Sequence, residues 1–442
     1  MSATAEAPIT HSRVLKIAVP IVLSNVTVPI LGAVDTGVVG QMGQAAPIGA
    51  VGIGAVILAT VYWVFGFLRM GTTGLAAQAR GAGDMAETGA LLMRGLILAG
   101  LAGATFILFQ SALFWGAFAL APASAEVESL ARDYLSIRIW GAPATIALYA
   151  VTGWLIAMER TRGVFVLQIW MNGLNIVLDL WFVLGLGWGV EGVASATLIA
   201  EWSGLALGVW LCRDAFSGSQ WRDWARVFDR ARLGRMLRVN GDIMVRSVLL
   251  TGSFTTFLFI GADLGDVQLA ANQVLLQFLE ITAFALDGFA FSAEALVGGA
   301  VGAKSRLRLR KAAYMASMWA VGGSLLLTLG FFLAGGAIID LMTTSPEVRA
   351  AARAFLVWAA LAPLLSVASY MLDGVFIGAT WTRDMRIAML QSVGLYVIAL
   401  LVLVPSFGNH GLWAALMVLN VTRAITLALR YPRLEAGIGT QS

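Results

Sequence analysis

Residues 17–68 read IAVPIVLSNVTVPILGAVDTGVVGQMGQAAPIGAVGIGAVILATVYWVFGFL and contain one charged side chain, Asp35. A hydrocarbon core of about 30 Å is crossed by ~20 apolar residues in a helix. The stretch is long enough for two crossings, and QMGQAAP (41–47) divides it. An Asp at the depth of a membrane helix costs roughly 2.5–3.5 kcal/mol on insertion scales, so it is expected to face protein or water and to mark an ion or proton site. A second carboxylate, Asp179, lies in the equally apolar LNIVLDLWFVLGLGWG (174–189).

The rest of the chain has the same character. Of its 442 residues, 59% are hydrophobic and only 12% charged, against about 25% charged in soluble domains. This predicts an all-α polytopic membrane protein. The ~10-residue alternating segments of a transmembrane barrel do not appear. MSATAEAPITHSR at the start lacks a basic region followed by a cleavage site, so no removed signal peptide is expected. One cysteine, Cys212, excludes an internal disulfide and a thiolate cluster. The two histidines, His11 and His410, flank the apolar segments, leaving no material for a histidine triad or a zinc site. The net charge of +4 fits a positive-inside bias and gives no reason to expect nucleic acid as a partner.

Apolar runs bounded by charges or turn residues predict twelve spans, near 14–40, 46–72, 88–119, 127–158, 163–184, 191–212, 240–261, 268–298, 310–341, 348–378, 385–404 and 410–430. The connecting loops alternate in charge. Arg80, Arg160, Arg162, the stretch 213–238, Lys304 to Lys311, Arg383 and Arg386 form a basic set, whereas Glu126, Glu128, Glu191, Asp263, Asp266 and Glu347 mark the other side. Basic loops stay cytoplasmic, so both termini are expected there, consistent with an even number of crossings. The domain reading is an N-terminal lobe (1–212), a cytoplasmic amphipathic linker (213–239) and a C-terminal lobe (240–442). In the linker, Trp221, Trp224, Val227 and Phe228 recur at helical spacing and predict one interfacial helix. The halves repeat weakly: GLAAQARGAGD closes the second span and AEALVGGAVGAKS the eighth. Two six-helix lobes of the same orientation pair about an axis along the membrane normal, as alternating access needs.

Asn172, Asn175 and Asp179 are spaced to share one face of the fifth span. The sixth follows a glycine-rich turn and brings Thr197 within reach of that layer. Asp35, Asn175, Asp179 and Thr197 offer the oxygen ligands that a hard cation such as Na⁺ prefers. The same carboxylates equally suit a shared proton. Secondary candidates for the polar lining of a substrate cavity are Asn172, Glu201, Glu280, Asp287 and Asp373. Asp287 and Asp373 each precede Gly, which predicts helix breaks there. Asp242 and Arg246, four apart, predict a local ion pair, and Arg69 and Arg138 are expected to snorkel to the interface. Pro20 and Pro29 bracket the middle of the first span and are expected to bend it near Asp35.

PIVLSNVTVPILGAVDTGVVG, LNIVLDLWFVLGLGWGVEGVASATLIAE, NGDIMVRS, ALDGFAFSAEALVGGAVGAK and LDGVFIGATWTRDMR occur in this order. Together they resemble the multidrug and toxic compound extrusion (MATE) family, specifically its DinF branch. The resemblance implies a twelve-helix exporter that exchanges H⁺ or Na⁺ for small amphipathic, often cationic compounds. It implies no cofactor beyond the coupling ion, and a monomer in contact with lipid in the cytoplasmic (inner) membrane of a bacterium. It also implies that Asp35, Asn175, Asp179 and Thr197 form the coupling site, and that Asp287 and Asp373 match the acids of the eighth and tenth helices. Trp381 departs from the small or basic residue usual at its place, in a loop with no coupling role.

Two other functions compete with antiport. A flippase for lipid-linked precursors shares the two-lobed architecture, but it would call for a strongly cationic central cavity, and the arginines here read as lying near helix ends. An enzyme would need a signature such as HExxH, GxSxG or a phosphate-binding GxxxxGK[ST], and none occurs.

Overall fold

The computed structural model describes residues 8–41, 45–120, 123–217 and 220–438. All regular structure among them is helical. Polar side chains start several helices by accepting an otherwise unmet backbone N–H. Asp84 caps α4 (Met85–Leu108), Ser124 caps α6 (Ala125–Arg138), Ser305 caps α13 (Arg306–Met342) and Ser345 caps α14 (Pro346–Gly378). The last also places Pro346 in its first turn, where the missing N–H has no partner to lose.

The described residues contain eleven helical stretches long and apolar enough to span a membrane, the last running Thr382–Ala436. That stretch is two crossings. Within α15 (Thr382–Ala428), Gly408 leaves helical conformation at φ 53°, ψ −129°. A Cβ on Gly411 would lie 2.1 Å from the Leu403 carbonyl oxygen. Eight residues apart on a straight helix, those atoms would be separated by about 12 Å, so the chain has folded back on itself. Asn272 and Asn409 exchange amide hydrogen bonds of 2.8 and 2.9 Å, and Trp413 Nε1 adds a third to Asn272 Oδ1, which pins the reversal. The described residues thus make twelve crossings.

By internal contacts the chain forms two compact units. The first comprises Met1–Val22, Ala77–Gly83 and Arg235–Ser442. Its core joins α11 (Arg230–Asp263), α12 (Asp266–Gly302), α13, α14 and α15 around Phe257, Phe278, Phe331, Tyr396 and Trp413. α12 and α14 run unbroken through Asp287–Gly288 and Asp373–Gly374, against the expectation of breaks. These glycines are needed for close packing instead: a Cβ on Gly288 would lie 2.7 Å from Ala18 O, and one on Gly374 2.6 Å from Ala290 O.

The second unit comprises Leu23–Ala76 and Asp84–Gly234. It holds most of α1 (His11–Gly40), then α2 (Ala45–Trp63), the first part of α3 (Gly66–Gly81), α4, α5 (Gln110–Leu120), α6, α7 (Ala142–Ala157), α8 (Thr161–Asp179) and α9 (Gly189–Leu211). Tyr62, Phe114, Phe118 and Tyr134 centre one of its apolar clusters.

The internal repeat is visible in the packing. Gly153 would place a Cβ 2.4 Å from Arg69 O in the second unit, and Gly374 repeats that contact with Ala290 O in the first. Each partner stands 221 residues from its counterpart. The same spacing relates two reciprocal contacts inside the first unit, Gly81 on Gly299 O and Gly302 on Gln78 O, each with a virtual Cβ at 2.0 Å. A Gly302→Val substitution is therefore expected to push α12 off the end of α3. Overpacking of this kind typically costs about 1–3 kcal/mol, and the loss of monodisperse protein in size-exclusion chromatography should report it. An unchanged profile and melting temperature would show that this crossing yields easily.

The expected single helix over 213–239 is not what forms. Two short 3₁₀ turns (Arg213–Phe216 and Gln220–Arg222) and one α-turn (α10, Trp224–Val227) precede Arg230, which already belongs to α11. Local hydrogen bonds win over amphipathic spacing. Asp223 caps the α-turn, and the fully buried Arg94 of α4 takes the carbonyls of Val227 and Arg226 at 2.8 and 2.6 Å. Arg94 also pairs with Glu87 at 2.6 Å, while Arg226 pairs with Asp84 at 3.0 Å. At the other end of the segment, Arg160 donates to Asp214 and holds its carboxyl below the usual carboxylate range.

Candidate coupling site on α8 and α9

Three of the four expected coupling residues come together in the second unit. Asn175 Nδ2 donates to Asp179 Oδ2 at 2.9 Å and to Thr197 Oγ1 at 3.4 Å. The first contact is the i, i+4 geometry of α8. The second is set by α9 packing along α8 after the 185–189 turn, whose glycines Gly187 and Gly189 both take positive φ. Asp179 and Asn175 are 0% and 1% exposed, and Asn175 Oδ1 has no hydrogen-bond partner among the described residues. A carboxylate, an amide and a hydroxyl thus come together in a buried place, the amide turning its Nδ2 to the other two; residues of these types supply the oxygens that suit Na⁺ or a proton. No group of three or more His, Cys, Asp and Glu side chains able to hold a metal occurs among the described residues.

The backbone changes pitch at this point. Leu180–Gly185 forms a π-helical turn directly after Asp179, and Leu186 N donates to Trp181 O five residues back, at 2.9 Å. Such turns recur at functional sites because they redirect side chains within a helix. The sequence carries no simple signal for it beyond the glycines that follow.

The side chain of Asp35 lies outside the described residues. Its backbone belongs to α1, which is helical from His11 to Gly40 through Pro20 and Pro29. Val34, Val38 and Val39 join the apolar cluster that also contains Val183, Val190 and Val193. The carbonyl of Val193 in turn accepts the Thr197 hydroxyl at 3.0 Å. One turn from Asn175, Asn172 Nδ2 donates to Thr27 Oγ1 of α1 at 2.8 Å, and Gln168 Nε2 donates to Asn172 Oδ1 at 3.0 Å. Thr27 and Gln168 were not anticipated, although Gln168 is legible from its i, i+4 spacing to Asn172.

Glu201 of α9 is held in a buried two-point pair with Arg138 of α6, at 2.6 and 2.9 Å. Arg138 therefore does not snorkel; its side chain is 9% exposed. Gly141 makes room for the pair, since a Cβ there would lie 2.2 Å from Glu201 Oε2. Arg69 is also buried instead of reaching the interface.

In the first unit, Arg246 donates to Asp373 of α14 and not to Asp242, which takes Arg386 at 2.7 Å and the Thr382 hydroxyl at 3.0 Å. The expected local pair lost to partners on other helices with better geometry. Arg423 of α15 lies 3.7 Å from Asp373 Oδ2 and is 3% exposed. Arg246 and Arg423 are thus both buried. Asp287 shares the electrostatic surroundings of Tyr370 with Asp373, Arg246 and Arg423. Glu280 lines a cavity of about 400 Å³ together with Arg423 and Asn420.

Twelve apolar crossings, a sequence repeat expressed in the packing and a buried polar cluster define a helical membrane transporter. The chain belongs to the MatE family, whose model matches residues 20–181 and 243–403. It is similar to DNA damage-inducible protein F of Escherichia coli, with 38% identity over 94% of this chain and 91% of that one. It is also similar to the probable multidrug resistance protein NorM of Xanthomonas campestris, with 27% identity over 95% and 94% of the two chains. Its fold matches the Vibrio cholerae MATE transporter VcmN in the bent form, with a TM-score of 0.87 at 20% identity over 97% and 98% of the two chains. Members of this family are transporters and not enzymes, and the all-α, two-lobed architecture is theirs.

Proposed function

We propose that this protein is a secondary antiporter that exports amphipathic, often cationic compounds in exchange for H⁺ or Na⁺, bound at Asp35, Asn175, Asp179 and Thr197. The observation that carries the reading is the fully buried Asp179 bonded to Asn175, with Thr197 in the same layer. A carboxylate that deep is stable only if it is hydrogen-bonded, paired or able to take up a cation. Neutralising the cluster by a proton or Na⁺ removes negative charge that would otherwise attract a cationic substrate. Coupling between the two ligands is reciprocal, so ion and drug each weaken the binding of the other. The repeat spacing favours functional lobes at 1–212 and 240–442, joined by the cytoplasmic segment 213–239. An even number of crossings and the basic loops favour both termini on the cytoplasmic side of a bacterial inner membrane. A single chain supplies both lobes, so a monomer suffices.

Efflux from proteoliposomes under separately imposed pH and Na⁺ gradients tests this. Only one gradient is expected to drive export of a fluorescent cation. In equilibrium binding to purified protein, that cation should bind more weakly at acidic pH if H⁺ is the coupling ion, or at high Na⁺ if Na⁺ is. Affinity and efflux indifferent to both would remove antiport from consideration.

A further inference from the structure

In the first unit one guanidinium is only partly met by its partners and one carboxylate has none among the described residues. The cavity between α11, α12, α14 and α15 has apolar walls, among them Leu250, Phe254, Leu258 and Leu276, and a volume of about 400 Å³. That is within the usual range for small-molecule sites, roughly 300–1,000 Å³. At one point of its lining sits the Arg423 guanidinium. Nη2 donates to Ser369 Oγ at 2.8 Å and Nε is ion-paired with Asp373 Oδ2 at 3.7 Å, but Nη1 has no partner among the described residues. The carboxylate beside it, Asp373, is already engaged by Arg246. Counting Asp287, the two arginines and two acids cancel, so Arg423 offers an unmet donor and not an excess of positive charge. A buried ionic donor with no acceptor is a strong anchor for an anionic group.

Glu280 of α12 lines the same cavity. It is exposed and has no hydrogen-bond or ion-pair partner among the described residues. Gln273 and Gln277 precede it at helical spacing and line the cavity with it. The lining of the cavity therefore carries an exposed carboxylate and a buried guanidinium with one unmet donor, separated by apolar wall.

We propose that this cavity is a ligand site for zwitterionic amphiphiles, with Arg423 receiving the anionic group and Glu280 the cationic one. A purely cationic amphiphile would satisfy Glu280 and leave Arg423 unmet. This assignment concerns equilibrium binding and does not depend on the coupling ion or on Asp179.

The test uses rhodamine B, a zwitterion, and its ethyl ester, which keeps the cationic dye body but lacks the carboxylate. Fluorescence anisotropy with the purified full-length protein, in the absence of any gradient, gives both affinities. Rhodamine B is expected to bind about tenfold more tightly than the ester, as one hydrogen bond to a charged group would supply. Arg423→Gln should erase that preference. Glu280→Gln, at an exposed position where folding is not at risk, should weaken both dyes several-fold while keeping their ratio. Ala283→Trp, which fills the cavity, should weaken both. Equal affinity of the wild type for the two dyes would overturn the proposal, as would a preference that survives Arg423→Gln. Should Arg423→Gln fail to fold, unaltered binding in both Glu280→Gln and Ala283→Trp would still refute it, and weakened binding in both would support it.

Discussion

Asp179→Asn is expected to abolish gradient-driven efflux while the protein still accumulates in the membrane at the wild-type level. The amide is nearly isosteric with the carboxylate and can still accept from Asn175 Nδ2, the 2.9 Å bond that now holds the pair. What disappears is the charge, and with it the capacity to take up a proton or bind Na⁺. Folding should not suffer, because a neutral buried amide avoids the desolvation penalty of a carboxylate. Asp35→Asn is expected to have the same effect. If both acids belong to one site, the double variant should transport no worse than either single one, because members of one functional unit are not additive. Resistance and efflux at wild-type levels in Asp179→Asn, at equal abundance, would remove the ion from this site. Losses that multiply in the double variant would instead separate the two acids.

The second large effect is on stability. Glu201→Ala should lower the melting temperature sharply, because it strands Arg138 in the interior beside Gly141. Breaking a buried ion pair from one side costs about 3–5 kcal/mol. Replacing both partners, as Arg138→Met with Glu201→Met, should recover most of that loss, since apolar replacements remove both desolvation penalties at once. Thermal unfolding in detergent, followed by tryptophan fluorescence, distinguishes these outcomes. A double variant no more stable than Glu201→Ala would show that the pair does more than neutralise itself, and would return Glu201 to the candidates for contact with substrate.

These two sites also mark what a linear reading can see. Asn172, Asn175 and Asp179 were legible because one helix places residues three and four apart on one face, and Thr197 because α9 follows α8 after a short turn. The ion pairs Arg138–Glu201 and Arg246–Asp373 were not, since their partners come from helices 63 and 127 residues away. Asp242 and Arg246 misled for a related reason. Helical spacing allows a pair, but a partner on a facing helix can offer better geometry. The linker failed on similar grounds: the Asp223 cap and the Arg94 clamp outweigh the spacing of Trp221, Trp224 and Phe228. Twelve crossings were legible from charge alternation and hydropathy, because the bilayer imposes both. The π-helical turn after Asp179 had no such imprint.

The reversal at Gly408 bears on how the chain reaches the bilayer at all. Its turn, residues 404–411, contains no charged side chain, and the helices on either side belong to one apolar core through Tyr396, Leu400, Leu412 and Trp413. A newly made segment of this kind can enter as a preformed hairpin, with its backbone donors already satisfied and little polar material to carry across. Strong charges mark the open end, Arg383 and Arg386 in the first turns of the first helix and Arg430 and Arg433 after the second. This pair of crossings is thereby suited to insertion as one hairpin during biosynthesis, without a charged loop to translocate. A lysine placed at Ser406 would burden that step, so its damage should appear in membrane integration before any effect on transport is felt.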